Sequence, residues 1–328
     1  MIITRTPYRM SFFGGGSDYP LWYREFGGAV LATTIDKYCY LSARYMPPYL
    51  GCKYSVCWSK MERVNSLQEI EHAGVRGCLE YMGIDEGFEV NHAGDLPARS
   101  GLGSSSSFTV GMLHALHALR GEHVGKVRLA NEAVEVEQVI LKETVGIQDQ
   151  IECAHGGLNL IEIGRDGSYT VRPVVMPAPR RAALESRLML FFTGIQRHAS
   201  EIAKVQVDNV GRKEAELHEI AALVPRAVGA LAEGNLDAFG LLLHETWMLK
   251  RGLTDLVTNP EIDDIYAKAM QAGALGGKLL GAGGGGFFLF YVPEDRQSDV
   301  REAMGDLCEC PVHFEHGGSQ LVQFEPSA

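Results

Sequence analysis

Leu96-Pro-Ala-Arg-Ser-Gly-Leu-Gly-Ser-Ser-Ser-Ser107 runs straight into an apolar stretch with helical periodicity. Its glycines, 101 and 103, let the chain turn tightly and approach a ligand without side-chain clashes. Phe108, Met112, Leu116 and Leu119 then recur at helical spacing and Gly121 follows, which predicts a helix over 104–120. A helix that opens on serines leaves N–H groups pointing outward at the positive end of its dipole, so the junction is a candidate anion site. One serine suffices for an N-cap, and four in a row after Gly-Leu-Gly favour a phosphate-binding loop instead. It is not a Walker loop, because Gly-x-x-x-x-Gly-Lys-[Ser/Thr] occurs nowhere in the chain.

Outward from this loop, strands and helices mix. Residues 2–13 read as a strand in which Thr4, Thr6, Tyr8, Met10 and Phe12 alternate with a second face of Arg5, Pro7, Arg9 and Ser11. Gly14-Gly-Gly-Ser-Asp18 breaks it. Strands are expected at 28–46, 88–92, 158–163 and 169–175, and helices at 67–81 and 126–143. The prolines of 173–179 interrupt regular structure and mark a boundary, giving expected domains of 1–180 and 181–328. Beyond it, strand 188–192 precedes helices at 199–233, 235–250 and 260–272. A Gly-rich turn at 281–286, a strand at 287–292, a helix at 295–307 and a final strand near 311–324 complete an α+β order.

Composition narrows the function classes. The formal charge of −11 over 328 residues disfavours nonspecific binding to nucleic acid or an anionic membrane. An anionic ligand then needs a local site of backbone N–H groups, a few cations and Mg²⁺. No stretch approaches the ~20 apolar residues that span a bilayer, and the first residues lack a signal-peptide core. Seven scattered cysteines, with Cys308-x-Cys310 the only close pair, read as reduced thiols in a cytoplasmic protein. The spacing sets no oligomeric state, and a homodimer stays open.

Three segments together resemble the GHMP kinases, a superfamily that includes galactokinase, homoserine kinase, mevalonate kinase and phosphomevalonate kinase. Pro97…Gly101-Leu-Gly-Ser104-Ser105 looks like their ATP-binding loop. Pro7-Tyr-Arg-Met-Ser-Phe-Phe-Gly-Gly-Gly-Ser-Asp18-Tyr19 resembles the first, substrate-binding motif, and Lys278-Leu-Leu-Gly-Ala-Gly-Gly-Gly-Gly286 resembles the third. The order is the family's and spans nearly the whole chain. The resemblance implies ATP and Mg²⁺ as cofactors. It implies a ribosomal-protein-S5-like N-terminal domain and a ferredoxin-like C-terminal domain, with the site between them. Nucleotide contacts would come from Pro97, Arg99, Ser100, Gly101, Leu102, Gly103, Ser104, Ser105 and Ser106. Run 281–286 also fits Gly-x-Gly-x-x-Gly, but an apolar strand follows where a dinucleotide fold needs a helix.

Catalytic carboxylates are expected from 126–150. Glu132 and Glu135 point away from the apolar stripe, toward water. Glu137 lies along an apolar line, three residues after Val134 and four before Leu141, where a carboxylate is costly without a cation or donor. By resemblance it is the Mg²⁺ ligand together with Ser105. Gly146-Ile-Gln-Asp-Gln150 resembles the segment that supplies the catalytic aspartate, here Asp149, with Arg9 as the first-motif arginine that would hold Asp149 ionised and offset phosphoryl charge. His114 and His117 lack a carboxylate to complete a metal set and read as structural. Acceptor contacts are expected from Arg9, Gly15, Gly16, Ser17, Asp18, Gln148, Thr193, Arg197, Lys250, Gly283 and Gly284. Galactokinases place Glu-His-Thr where this chain has Gly15-Gly-Ser17, which argues against galactose. Segments 192–200 and 247–250 resemble those of heptose-phosphate kinases and the kinase part of fucose-pathway enzymes. The implied reaction is anomeric phosphorylation of D-glycero-α-D-manno-heptose 7-phosphate or a related sugar. An L-fucose or other aldose 1-kinase and a catalytically silent ligand sensor stay open. If the acceptor carries phosphate, Arg197, Lys204, Lys250 and Arg251 are candidate grips.

Overall fold

A computed structural model describes residues 1–98, 100–195, 202, 205 and 209–325. Its strands fall into two sheets. The larger has the order β13-β1-β2-β5-β3-β4. It is built from β1 (Ile2–Phe13), β2 (Gly28–Tyr45), β3 (Tyr54–Cys57), β4 (Met61–Val64), β5 (Phe88–Gly94) and β13 (Gln320–Phe324). β6 (Leu158–Ile163) and β12 (Phe314–Glu315) also pair with β2, and β7 (Tyr169–Pro173) pairs with β6. All these pairings are antiparallel except β3 with β5. The smaller sheet runs β11-β8-β10-β9, all antiparallel, from β8 (Leu188–Phe192), β9 (Gly276–Leu279), β10 (Phe287–Tyr291) and β11 (Cys308–Glu309). The sheets part near residue 180, but β12 and β13 return to the first one.

The expected alternation of β1 is overridden. From Thr6 onward every residue of the strand is buried, Arg9 included. One reason is α3 (Ser104–Leu119), which lies against it and is itself buried along most of its length: Thr4 Oγ1 donates to the Gly111 carbonyl and Ser107 Oγ to that of Thr6. The strand at 287–292 is likewise apolar throughout because both of its faces are covered.

Other expectations change as well, among them the helix over 199–233, which among the described residues is interrupted by a 3₁₀ turn at Val210–Arg212 and runs on from Glu214. The helix over 126–143 is α4 (Lys126–Glu135) followed by a π turn, Val136–Ile140, of the kind that often marks functional sites. Residues 67–81 divide into a 3₁₀ turn, Leu67–Glu69, closed by a Ser66–Glu69 capping box, and α2 (Ala73–Met82). The final strand is broken into β12 and β13. The second half carries α7 (Glu214–Glu233), α8 (Leu236–Arg251), α9 (Pro260–Gln271) and α10 (Gln297–Met304). These follow α1 (Pro20–Phe26), α5 (Gln148–His155) and α6 (Ala178–Glu185).

A continuous apolar core joins the halves. Phe239 of α8 sits edge-on to Phe12 and Phe13 of β1, with ring centroids 5.3 and 5.1 Å apart. Such pairs add about 0.5–1.5 kcal/mol beyond burial. The two Gly-rich loops also meet backbone to backbone. A Cβ on Gly101 would lie 2.4 Å from the Leu280 carbonyl, and one on Gly281 2.5 Å from the Gly101 Cα. Both have positive φ, so only glycine fits at either place.

Candidate active site

Where the two halves meet, a cleft of about 650 Å³ opens. On one wall α3 begins at Ser104 after Gly103, which has no side chain to cap it. Ser104, Ser105 and Ser106 line the cleft together with Gly101 and Gly103, and the uncapped first-turn N–H groups make this an anion-binding end. Ser100 and Leu102 are buried beneath the loop, and the Leu102 carbonyl accepts from the Arg9 N–H at 3.0 Å. Pro97 is exposed, outside the cleft wall, and Arg99 lies outside the described residues.

Arg9 and Asp149 form a bidentate pair against this loop. Nε donates to Oδ1 at 2.6 Å, one Nη to Oδ2 at 2.5 Å and the other Nη to the Gly101 carbonyl at 2.7 Å. Arg9 is 4% exposed, whereas the Asp149 side chain keeps 24%. The carboxylate is thus fixed in two directions and open to the cleft, in the first turn of α5, where the helix dipole favours its charge.

Asp18 faces the same space from the first Gly-rich loop. Oδ1 accepts from the Gly16 N–H at 3.0 Å and Oδ2 from the Gln148 N–H at 3.4 Å. Burial, then the charge of Asp149, pushes its carboxyl up to about 6. Around it, Ser11 Oγ, Gln148 Oε1 and Thr246 Oγ1 are buried cleft-lining atoms without a hydrogen-bond partner among the described residues. A ligand rich in hydroxyls would satisfy them. Ser11 lies inside the first motif but was given no role there, and Thr246 carried no motif. Ser17 is a correction: its hydroxyl turns inward to the Gly14 and Ala29 carbonyls. Thr193, Gly283 and Gly284 likewise stand off the cleft wall. Thr193 Oγ1 donates to Gly286 O at 2.9 Å and the Gly284 N–H to Val257 O at 2.9 Å. Arg197 and Lys204 lie outside the described residues, and Arg251 is paired with Asp263.

Glu137, in the π turn, is fully buried behind α3. Ser106 Oγ donates to Oε2 at 2.9 Å and Gln150 Nε2 to the same oxygen at 2.5 Å, while Oε1 has no hydrogen-bond partner among the described residues. Burial, then Glu143, pushes the carboxyl up to about 8. An orphaned carboxylate oxygen beside a cleft hydroxyl fits a hard divalent cation such as Mg²⁺. The serine that meets Glu137 directly is Ser106, while Ser105 is exposed and lines the cleft beside it. Glu137→Gln and Ser106→Ala are therefore expected to raise half-saturating Mg²⁺ by at least about tenfold, the loss of one charge-assisted contact, and Ser105→Ala to leave it unchanged. A Mg²⁺ titration of turnover reads this; unmoved curves for the first two place the metal elsewhere.

Glu132 does not face water. It is 8% exposed and accepts from His117 Nε2 at 2.6 Å and Arg128 Nε at 2.7 Å, a buried structural network that also explains the histidine. Two lysines complete the cleft. Lys250 Nζ donates to the carbonyls of Leu279 and Gly281, and Lys278 Nζ to that of Phe12 at 2.9 Å. Lys278, given no role by its sequence context, is 4% exposed.

Residues 68–157 match the model of the GHMP kinases N terminal domain and 227–310 that of the GHMP kinases C terminal. The chain is 29% identical over 317 residues to a D-glycero-alpha-D-manno-heptose 7-phosphate kinase of Campylobacter jejuni, covering 92% of this chain and 93% of that one. It is 26% identical over 344 residues to a galactokinase of Pyrococcus furiosus, with 92% of each covered. A crystal structure described as a D-glycero-D-manno-heptose 1-phosphate kinase from Bacteroides thetaiotaomicron superposes with a TM-score of 0.81 at 24% identity, over 99% of this chain and 100% of that chain. The two family models fall in chain order on either side of the cleft and together span more than half of the sequence, and the chain belongs to the GHMP kinases.

Proposed function

We propose that this kinase transfers the γ-phosphoryl group of ATP to the anomeric hydroxyl of D-glycero-α-D-manno-heptose 7-phosphate or a closely related sugar, in the cytoplasm. The observation that carries the reading is the Arg9–Asp149 pair, pinned to the phosphate loop through Gly101 yet open to the cleft beside Asp18. A sugar hydroxyl is a weak nucleophile. Asp149 would orient it and take its proton as it attacks phosphorus in line. The N-terminus of α3 would hold the phosphates, and Asp18, Ser11, Gln148 and Thr246 the sugar. Mg²⁺, which Ser106 and Glu137 would hold, neutralises charge on the β- and γ-phosphates when bound. The similarity to a heptose 7-phosphate kinase over nine-tenths of both chains favours a phosphorylated heptose as acceptor.

An ATP-consumption assay across heptose 7-phosphate, unphosphorylated heptose, fucose, galactose, mannose and mevalonate tests this. The phosphorylated heptose is expected to lead, exceeding the unphosphorylated one about ten- to a hundredfold in kcat/KM, since one charge-assisted phosphate contact contributes roughly 1.5–3 kcal/mol. Equal values move the acceptor toward a free sugar. No turnover with any member overturns the kinase reading in favour of a ligand sensor.

A further inference from the structure

We propose that Lys250 and Lys278, rather than Arg9, supply the positive charge that the transferring phosphoryl group meets. The proposal rests on the kinase reading and assigns two catalytic residues within its site.

Arg9 is already spent. Its Nε and both Nη atoms serve the two Asp149 oxygens and the Gly101 carbonyl, and its charge is paired with the carboxylate it grips. It therefore positions Asp149. The lysines are the opposite case. Both line the cleft, and neither forms an ion pair with a described carboxylate; their partners are backbone carbonyls alone. A buried ammonium without a counter-ion is costly and is kept where a ligand brings the missing negative charge. Burial, then neighbouring cations, pulls both ammonium groups down from their ordinary range, Lys250 to about 7 with Arg9 as the neighbour, and Lys278 well down with Lys250 and Arg9, against a smaller upward pull from Asp18.

Their tethers place them between donor and acceptor loops. Lys250 holds the carbonyl of Gly281, whose backbone abuts Gly101 of the phosphate loop. Lys278 holds the carbonyl of Phe12, two residues before the Gly14–Asp18 loop that faces the acceptor. In the transfer the bond from the γ-phosphorus to the ADP oxygen breaks as the bond to the acceptor oxygen forms, and the acceptor proton passes to Asp149. The anionic phosphates draw both amines back to the protonated form when they bind, and the lysines then form no covalent bond and stabilise charge on the equatorial oxygens.

Lys250→Met and Lys278→Met test the assignment. Each is expected to lower kcat about a hundredfold, the effect of removing one preorganised transition-state donor. The factor should be the same with heptose 7-phosphate and with unphosphorylated heptose. Thermal unfolding of Lys278→Met should be unchanged or shifted upward, because a buried amine that the fold disfavours in its charged form has gone. A loss confined to the phosphorylated acceptor would overturn the proposal and make the pair a grip for the phosphate the sugar already carries. So would wild-type kcat in both variants, or a lowered melting temperature of Lys278→Met together with normal kcat in Lys250→Met, which is a structural role. A wild-type protein inactive on every acceptor would sink the kinase reading and this proposal with it.

Discussion

Asp149→Asn is expected to lower kcat by about 10²–10⁴, the range that a positioned proton acceptor contributes, while MgATP still binds. The amide keeps the shape and one carbonyl oxygen, so the arrangement beside Gly101 survives in outline. It cannot take a proton, and it loses one of the two charge-assisted bonds from Arg9. Arg9 is then left 4% exposed without a full counter-charge. Breaking one side of a buried pair costs up to about 3–5 kcal/mol, so a lowered melting temperature should accompany the kinetic loss. Steady-state kcat with heptose 7-phosphate, an equilibrium titration with MgATP and a melting curve separate the effects. A near-normal kcat removes Asp149 from the chemistry. Weakened nucleotide binding at normal kcat per bound enzyme would recast the pair as part of the phosphate site.

The loop that opens α3 was legible because a tight turn into a helix start favours glycine and serine there, and the Asp18 and Asp149 segments were legible through their resemblance to family motifs. What stayed hidden depends on three-dimensional neighbours. Four consecutive serines look alike in one dimension; about 100° of helix rotation per residue decides that Ser106 and not Ser105 meets Glu137. The π turn that presents Glu137 leaves no periodic trace. Glu132 sat on the polar side of α4, and only the fold brings His117 against it. The alternation of β1 implied one wet face, but the packing of α3 and the second half covers both. Lys278 opens the third motif without a role of its own until β9 places it in the cleft wall.

Asp18→Asn is expected to lower kcat/KM for the acceptor about a hundredfold, through KM more than kcat, because an ionised carboxylate loses its charge-assisted bonds to sugar hydroxyls at roughly 1.5–3 kcal/mol each. The site is unforgiving: a Cβ on Gly146 would lie 1.8 Å from Asp18 Oδ2, so the carboxylate already fills the space that the α5 loop leaves. Its pH behaviour has a definite sign. Burial, then Asp149, raises the folded-state carboxyl from 3.8 to about 6, so the folded protein holds a proton there that the unfolded chain has released. The associated stability is present below pH 3.8 and is lost as pH rises through about 6. Asparagine carries no such loss. The melting temperature of Asp18→Asn should therefore move in the variant's favour, relative to wild type, between pH 4 and pH 8, by on the order of 2 kcal/mol of stability. The backbone contacts from Gly16 and Gln148 set the absolute offset but not this slope. Paired melting curves at the two pH values read it directly. Parallel pH dependence in the two proteins would mean that Asp18 is ionised at no cost in the fold. A hundredfold loss in kcat/KM beside a flat stability difference would then leave its sugar contacts standing and its burial without thermodynamic effect.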